Sequence, residues 1–443
     1  MKYIEKKALV CGVGKSGIAA ARLLLAHGAD VTISDLNTPV SGDFSGFSTY
    51  FGKNPDDIVQ NFDMLVLSPG IATDLPFIEK ARAGGIPVLS EIELAANHCK
   101  APIIAVTGTN GKTTVCTLVG KIMEAAFCGS ITAGNIGTAF CDVAEDVPSN
   151  AWVVAEISSF QLETIINFKP KISAVLNMTP DHLNRHKTME NYIAAKERIF
   201  ENQNESDFCV LNYDNPITHT MADKTPAKTL FFSKSTVLDE GVFVDGDAIR
   251  ITLFRHDCEV VKLADVAAHN VENIMAAIAL TISAGVSLEI ISKEIKNFKA
   301  VEHRLEYVRT MGGVAFYNDS KATNVGSALN AIDVISAQNM PIVLIAGGQD
   351  KKLDFGDLVK AFLNCVKHVV VLGEVADQII HTCRAYGYEN FEKANSLKEA
   401  VDLAALRASA GDAVLLSPAN ASLDMFDNYE QRGRVFKDFV NNL

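Results

Sequence analysis

Val106-Thr107-Gly108-Thr109-Asn110-Gly111-Lys112-Thr113-Thr114 decides the fold of the region around it. The apolar run before it, residues 102–106, reads as a buried strand. After it, Val115, Leu118, Val119, Ile122 and Met123 recur at helical spacing and predict a helix over 115–126. Strand, glycine loop, Lys-Thr and helix is the order that cradles phosphates. The loop N–H groups and the helix dipole offer positive charge, and the lysine adds a full one. Gly108, Thr109, Asn110, Gly111, Lys112, Thr113 and Thr114 are therefore candidate ATP-binding residues. The Thr113 hydroxyl is a candidate magnesium ligand. The loop is a variant, because Val106 stands where the general pattern has glycine. The competing reading is a plain turn with an incidental surface lysine. A Lys-Thr pair at the very start of a helix argues against that.

Outward from this loop, short apolar runs alternate with amphipathic stretches. Runs at 8–11, 31–34, 64–67 and 87–89 predict strands, with helices over 17–27 and 75–83. Strands at 152–157 and 174–177 and a helix near 189–202 continue the central series. A last series has strands at 314–317, 342–346, 369–372 and 413–416. Such βα alternation predicts parallel sheets. The expected class is α/β with three domains: a Rossmann-like N-terminal domain (1–95), a P-loop-type central ATPase domain (96–299) and a Rossmann-like C-terminal domain (300–443). The boundaries are placed within 90–100 and near 298–303. Residues 220–265 are rich in short β-type runs and receive no assignment.

Composition narrows the function. With 443 residues, 48% of them apolar, and a net charge of −13, the chain is an acidic globular protein. That balance argues against general nucleic-acid or membrane-surface binding. Nine cysteines without a CxxC pair fit the reduced thiols of a cytoplasm better than a disulfide framework or zinc knuckle. No signal peptide and no run of membrane-spanning length is read.

Other constellations gather at predicted strand ends. Gly12-Val13-Gly14-Lys15-Ser16-Gly17 follows the first strand, and Asp35 ends the second, where dinucleotide folds keep a ribose-reading acid. A ligand-free βα turn is the bland alternative. The Ser68-Pro69-Gly70 turn could line the same pocket. Two nucleotide-type sites in one chain fit a ligase whose substrate carries a nucleotide handle more simply than a dehydrogenase with an extra ATP site. Glu156, ending another strand, is a natural magnesium ligand beside the phosphate loop. His182 by itself reads first as a turn histidine, and Lys196, flanked by alanines, as a snorkelling lysine. In the last series, His303-Arg304, then Asp319, Lys321 and Thr323, then Gly347 to Lys352, then Ser417 and Ser422, point to a binding face. A set of solvated turns is the alternative.

Taken together these residues resemble the Mur ligase family over essentially the whole chain. The resemblance rests on residues 107–114, Gly-Asn-Ile-Gly at 134–137, Glu-Ile-Ser-Ser-Phe-Gln-Leu at 156–162, Asp181-His182, His-Asn-x-x-Asn at 269–273, Asn-Asp-Ser-Lys-Ala-Thr-Asn at 318–324, and the tail from Ser417 to Gly433. The tail is similar to that of the D-glutamate-adding branch. The resemblance implies an ATP-dependent ligase of cytoplasmic peptidoglycan precursor synthesis. Its substrates would be UDP-N-acetylmuramoyl-L-alanine, D-glutamate and ATP, with two magnesium ions. It further implies roles. Gly14, Ser16, Gly17, Asp35, Ser68, Gly70, Asn135, Gly137 and Gln161 would hold the UDP-sugar. Asn270 and Asn273 would contact adenine, Asp319 the ribose, Arg304 the phosphates, with Lys321 also at the nucleotide. Thr323, Lys351, Ser422 and Tyr429 would bind D-glutamate. Thr113, Glu156, His182 and a carbamylated Lys196 would hold the metals, and Lys112, His182, Lys196 and Arg304 would be catalytic. Several members have Thr-Arg after the uridine aspartate, where this chain has Leu36-Asn37. Other readings are another member of the family, or a nucleotide-binding switch without ligase chemistry.

Overall fold

The computed structural model describes residues 3–37, 44–267, 270–298 and 302–443. These form two compact units. One reaches to Val266 and continues over Asn270–Phe298; the other runs to Leu443. The expected boundary at 299/300 lies outside the described residues, as does His269 of the His-Asn motif.

The first unit holds two sheets. The strands β1 (Lys7–Cys11), β2 (Asp30–Asp35), β3 (Ser48–Phe51), β4 (Met64–Leu67) and β5 (Val88–Ser90) form a parallel sheet in the order β3-β2-β1-β4-β5. The strand order reverses beside β1, and that is where ligands bind in open α/β sheets. The second sheet contains β6 (Ile103–Thr107), β7 (Ile131–Gly134), β8 (Val153–Glu156), β9 (Ile172–Val175), β10 (Phe208–Asn212), β11 (Lys228–Ser233), β12 (Gly241–Asp245), β13 (Ala248–Thr252) and β14 (Cys258–Lys262). Its order is β14-β13-β12-β11-β10-β9-β6-β8-β7, parallel except for the ribbon β12–β14. The unassigned stretch 220–265 therefore supplies one further parallel strand and this antiparallel ribbon. Here the order reverses at β6, directly before the glycine loop.

The apolar runs are unbroken because both faces of each sheet are covered. In β1, Ala8 and Val10 point to one core and Leu9 and Cys11 to another. In β6, Ala105 faces the core that holds Ala8, while Ile104 and Val106 face the helices Lys112–Ala126 and Val271–Ser283. One core thus runs continuously from the first sheet to the second. The short helix Glu91–Ala96, within the expected linker, is part of it. Its Glu93 carboxylate accepts N–H bonds from Ile166, Asn167 and Phe168 at 2.8–3.1 Å, and Glu91 accepts one from Cys141 at 2.6 Å. Buried carboxylates tolerate desolvation only with such donors. Even so, burial raises the Glu91 carboxyl to about 7.

The second unit is one sheet of β15 (Glu306–Met311), β16 (Val314–Asn318), β17 (Ile342–Gly347), β18 (Val366–Leu372), β19 (Phe391–Lys393) and β20 (Ala413–Ala419). The order is β15-β16-β20-β17-β18-β19, parallel apart from β15. Ile342, Leu344 and Ala346 face one core, Val343 and Ile345 the other. The carboxyl ends of β16, β20 and β17 lie side by side, which gathers residues 319–323, 417–422 and 347–352 at one edge.

Candidate nucleotide and substrate sites

The loop after β6 is tight for a steric reason. Gly111 caps the helix Lys112–Ala126 at φ +86°, a left-handed conformation that glycine adopts without penalty. A side chain there would also overlap the amide oxygen of Asn273, so its absence lets Asn273 approach the loop. Asn177 fixes the loop from beneath. Its side-chain oxygen accepts from Asn110 N–H at 2.8 Å, and its amide donates to the Asn110 carbonyl at 3.1 Å. The Thr109 hydroxyl donates to the Thr179 carbonyl at 3.0 Å.

Around this loop the structure assembles most of the expected phosphate and metal residues. Lys112 Nζ donates to the carbonyls of Gly108 (2.7 Å) and Thr109 (2.8 Å), curled over the loop it would complement. The Thr113 hydroxyl donates to Glu156 Oε2 at 2.8 Å, and Asn135 Nδ2 donates to Oε1 of the same buried carboxylate at 2.9 Å. Asn270 caps the helix Val271–Ser283, and Asn273 Nδ2 donates to its side-chain oxygen at 3.3 Å.

Lys196 is not a snorkelling lysine. It is buried, and its Nζ donates to Thr107 Oγ1 at 3.1 Å and to the Gly108 carbonyl at 2.9 Å. Burial, and then the charge of Lys112, push its pKa well below the ordinary lysine value. His182 has φ +54°, its backbone N–H bonds Asp181 Oδ1 at 2.8 Å, and its ring lies 4.9 Å from that of Phe160. Asp181 itself is buried. The Asp181-His182 pair thus belongs to the wall containing Tyr192 and Phe160.

At the first sheet, the Gly12–Gly17 turn meets Ser68 at the expected switch point. A side chain on Gly17 would overlap the Gly12 carbonyl oxygen, so the turn can close only with glycine there. Ser68 Oγ donates to that carbonyl at 3.1 Å. Asp35 takes N–H bonds from Val13 at 3.1 Å and Asn37 at 2.9 Å, so its carboxylate braces the turn. A cleft of about 480 Å³ is lined by Gly14 and Lys15 on one side and Gly137, Thr138 and Asp142 on the other. It brings two of the expected UDP-site segments together. Ser16 is half-buried beside it, and Gly70 is exposed. Gln161 is buried, and its Oε1 accepts from Ser158 N–H at 2.9 Å in a capping box.

In the second unit, Asp319 is buried after β16. Its carboxylate accepts from Leu305 N–H (3.1 Å) and Ser417 Oγ (2.8 Å). Burial raises it to about 6, against the pull of Arg304 and Ser417. Lys321 Nζ donates to Tyr429 Oη at 2.8 Å and lies 4.4 Å from the ring centroid. Lys351 Nζ donates to the Thr323 carbonyl at 3.4 Å, and Gln349 N–H bonds Ala421 O at 2.9 Å beside buried Ser422. Arg304, Asp319, Lys321, Thr323, Lys351, Ser422 and Tyr429 thus share the edge formed by β16, β20 and β17.

Several residues beside these sites received no role from the sequence reading. Arg432 is buried and clamps Ser320 O at 2.8 Å and Asn420 O at 3.0 Å, with its pKa lowered to about 10 by burial. Asn177 could have been noticed as a polar residue ending an apolar run. Lys15 and Arg22 are spaced seven apart on one helix, hence on one face, and both line the cleft.

Three parallel-type sheets, a Lys-Thr glycine loop at a switch point and a buried carboxylate on its threonine define an α/β nucleotide-binding protein. Its relatives are more specific. Residues 6–90 match the Mur ligase MurD-like N-terminal domain, 106–281 the Mur ligase middle domain and 303–420 the Mur ligase, glutamate ligase domain. The chain is 46% identical to the UDP-N-acetylmuramoylalanine–D-glutamate ligase of Lachnospira eligens, covering 100% of both chains. It is 45% identical to that of Caldicellulosiruptor saccharolyticus, again over 100% of both. Among solved structures it is similar in fold to the UDP-N-acetylmuramate-alanine ligase of Thermotoga maritima, with TM-score 0.63, 20% identity and 99% of each chain covered. It is also similar to the MurF ligase of Thermotoga maritima in complex with ADP, with TM-score 0.62 and 16% identity, covering 100% of this chain and 96% of that one. The chain belongs to the Mur ligase family.

Proposed function

We propose that this chain is an ATP-dependent ligase that joins D-glutamate to UDP-N-acetylmuramoyl-L-alanine in cytoplasmic peptidoglycan precursor synthesis. The observation that carries the reading is the end-to-end identity of 41–46% to relatives bearing that name. It is supported by the Lys112–Thr113–Glu156 cluster at the central switch point. Cytoplasmic placement is part of the proposal; among the described residues no helix is long and apolar enough to cross a membrane.

The reaction begins with the alanyl carboxylate attacking the γ-phosphate of ATP. An acyl phosphate forms, ADP leaves, the amine of D-glutamate attacks the carbonyl, and phosphate departs. Two anions must meet in the first step, so neutralisation and alignment are the protein's main contribution. Lys112 leaves its loop carbonyls to donate to phosphate oxygens, and the N–H groups of Gly108 to Thr114 hold the rest of the chain of phosphates. Arg304, Asp319 and Lys321 are assigned to the nucleotide, with Asn270 and Asn273 at the base. Gly14, Ser16, Gly17, Asp35, Ser68, Gly70, Asn135, Gly137 and Gln161 are assigned to the UDP-sugar, and Thr323, Lys351, Ser422 and Tyr429 to D-glutamate.

The donor set fits magnesium: a buried carboxylate, a threonine hydroxyl and an Asp-His pair are hard or borderline ligands at the loop. Thr113, Glu156 and His182 would hold it, and when bound the ions supply positive charge to the phosphoryl oxygens. Lys196 as a cation would oppose that charge. Its depressed pKa leaves the amine free to add carbon dioxide and release a proton, giving a carbamate whose oxygens are ligands of the right kind. The test of the function is phosphate release from ATP: rapid only with both UDP-N-acetylmuramoyl-L-alanine and D-glutamate present. Equal turnover with L-glutamate or L-alanine would overturn it.

A further inference from the structure

We infer that His27, His98 and Glu145 form a binding site for a first-row transition cation, with Zn²⁺ the best match. The residues come from three separate segments of the first unit. His27 ends the helix Lys15–Ala26, His98 follows the helix Glu91–Ala96, and Glu145 lies just past the turn Phe140–Asp142. Glu145 Oε1 is 2.8 Å from His27 Nε2 and 3.2 Å from His98 Nδ1, and the three ligand atoms lie within 4.8 Å of one another.

Three features make this more than an ion pair. First, a tetrahedral zinc with bonds of about 2.0–2.1 Å separates its ligand atoms by roughly 3.3 Å. The two carboxylate–imidazole separations, 2.8 and 3.2 Å, lie within about 0.5 Å of that spacing. Second, His98 already has the outer partner that a metal-bound imidazole takes. Its Nε2 lies 3.2 Å from Tyr3 Oη, which fixes the ring with Nδ1 turned to Glu145. Third, two imidazole nitrogens and one carboxylate oxygen, brought by three separate segments, converge on a single point. A divalent cation uses both nitrogen lone pairs and the carboxylate together.

Access and selectivity follow from the same groups. The His98 side chain is 3% exposed and that of His27 21%, whereas Glu145 is 47% exposed and leaves a solvent-side approach. Two imidazoles and one carboxylate select zinc-type ions over magnesium, which prefers oxygen ligands throughout. The set shares no residue with the proposed magnesium ligands. A cation there would tie the Lys15–Ala26 helix, which brings Lys15 and Arg22 to the cleft, to the segment that brings Asp142 to its other side.

The test uses the full chain in saturating Mg²⁺. Zn²⁺ is titrated calorimetrically, and Co²⁺ is titrated with the visible absorption of tetrahedral cobalt as readout. The expected result is one equivalent of Zn²⁺ that raises the thermal midpoint. His27→Gln and Glu145→Gln should each weaken that equivalent at least about tenfold and abolish the shift. Glu145 is largely exposed, so its variant keeps the assay usable if His27→Gln folds poorly. Unchanged zinc stoichiometry and affinity in Glu145→Gln would overturn the site. So would the absence of zinc binding in the wild type, which would leave the trio a hydrogen-bonded cluster only.

Discussion

The chain turns from strand to helix through glycine twice, after β1 and after β6, and the two turns differ in what surrounds them. After β1, the glycines are demanded by close packing: Gly17 lies against the Gly12 carbonyl, and Ser68 bonds the same oxygen. The charged side chain bonded to the turn backbone is an acid, Asp35, which holds the Val13 N–H. After β6, Gly111 is demanded by its left-handed backbone, and the side groups nearest the loop are two lysines and a buried carboxylate. Backbone N–H groups at a helix start welcome any phosphate. What separates a substrate anchor from a reaction centre is the charge placed around them. The first turn can hold a diphosphate that does not react; the second can neutralise one that does.

The largest expected effect breaks the comparison on the reactive side. Lys112→Ala removes a preorganised cation, worth about 3 kcal/mol or roughly a hundredfold in kcat. Lys196→Ala should fall comparably, and a short-chain carboxylic acid should restore part of the activity by supplying the missing oxygens. Labelled bicarbonate should give a carbamate signal in the wild type that Lys196→Ala lacks. No rescue and no signal would refute the modification while leaving the ligase reading intact.

Two strand-end acids allow a second contrast. Asp35 is half-exposed and braces a turn, whereas Asp319 is buried and raised from 3.8 to about 6, chiefly by burial. The native state therefore holds a proton that the unfolded chain has released between these values. The Asp319 contribution is most favourable at low pH, is lost as pH rises through about 6, and leaves a cost of roughly 3 kcal/mol at neutral pH. Glu91, raised to about 7, acts in the same direction. Thermal midpoints measured from pH 4 to 8 should show a component of decline that disappears in Asp319→Asn. Identical slopes in the two proteins would show that Asp319 ionises normally.

Gly17→Ala and Gly111→Ala set packing against backbone conformation. The Gly17 side chain would strike a carbonyl that cannot retreat, whereas at Gly111 the obstacle is an Asn273 side chain that can rotate. Overpacking against fixed atoms costs about 1–3 kcal/mol. Gly17→Ala should therefore lower the thermal midpoint by several degrees, whereas Gly111→Ala should show its main loss in ATP affinity. The reverse ranking would mean that the first turn is the more yielding.

Much of this was legible in residue order. The strands 102–106, 342–346 and 413–416 were readable because each is buried on both faces and so apolar throughout. The glycine loop announced itself through Lys112 and Thr113 falling at a helix start. What periodicity could not carry was long-range. The pairing of Asn177 with Asn110 joins residues far apart in the chain. The brace formed by Glu93 turns an expected linker into core. The edge ribbon β12–β14 is short, mixed in charge and half-covered, so no single period marks it. The burial of Lys196 was missed for a related reason. Alanine neighbours on a helix do not reveal whether a lysine turns outward or reaches under a loop.

The smallest expected effect sharpens the comparison on the anchoring side. Lys15 and Arg22 line the cleft opposite Gly137 and Thr138, yet the turn they follow carries no Lys-Thr pair and no carboxylate on a threonine. If that cleft only holds the UDP-sugar, its cations bind ground state and transition state equally. Removing one then raises KM and leaves kcat in place. A partly exposed charge on a diphosphate is worth about 1 kcal/mol, or roughly fivefold. Lys15→Ala should thus raise the KM for UDP-N-acetylmuramoyl-L-alanine about fivefold, leave kcat within about twofold, and leave the KM for ATP unchanged. The effect should shrink at high salt, because a solvent-facing charge is screened. A fall in kcat comparable to that of Lys112→Ala would mean that the first turn takes part in the chemistry, and the division of labour between the two glycine turns would have to be abandoned.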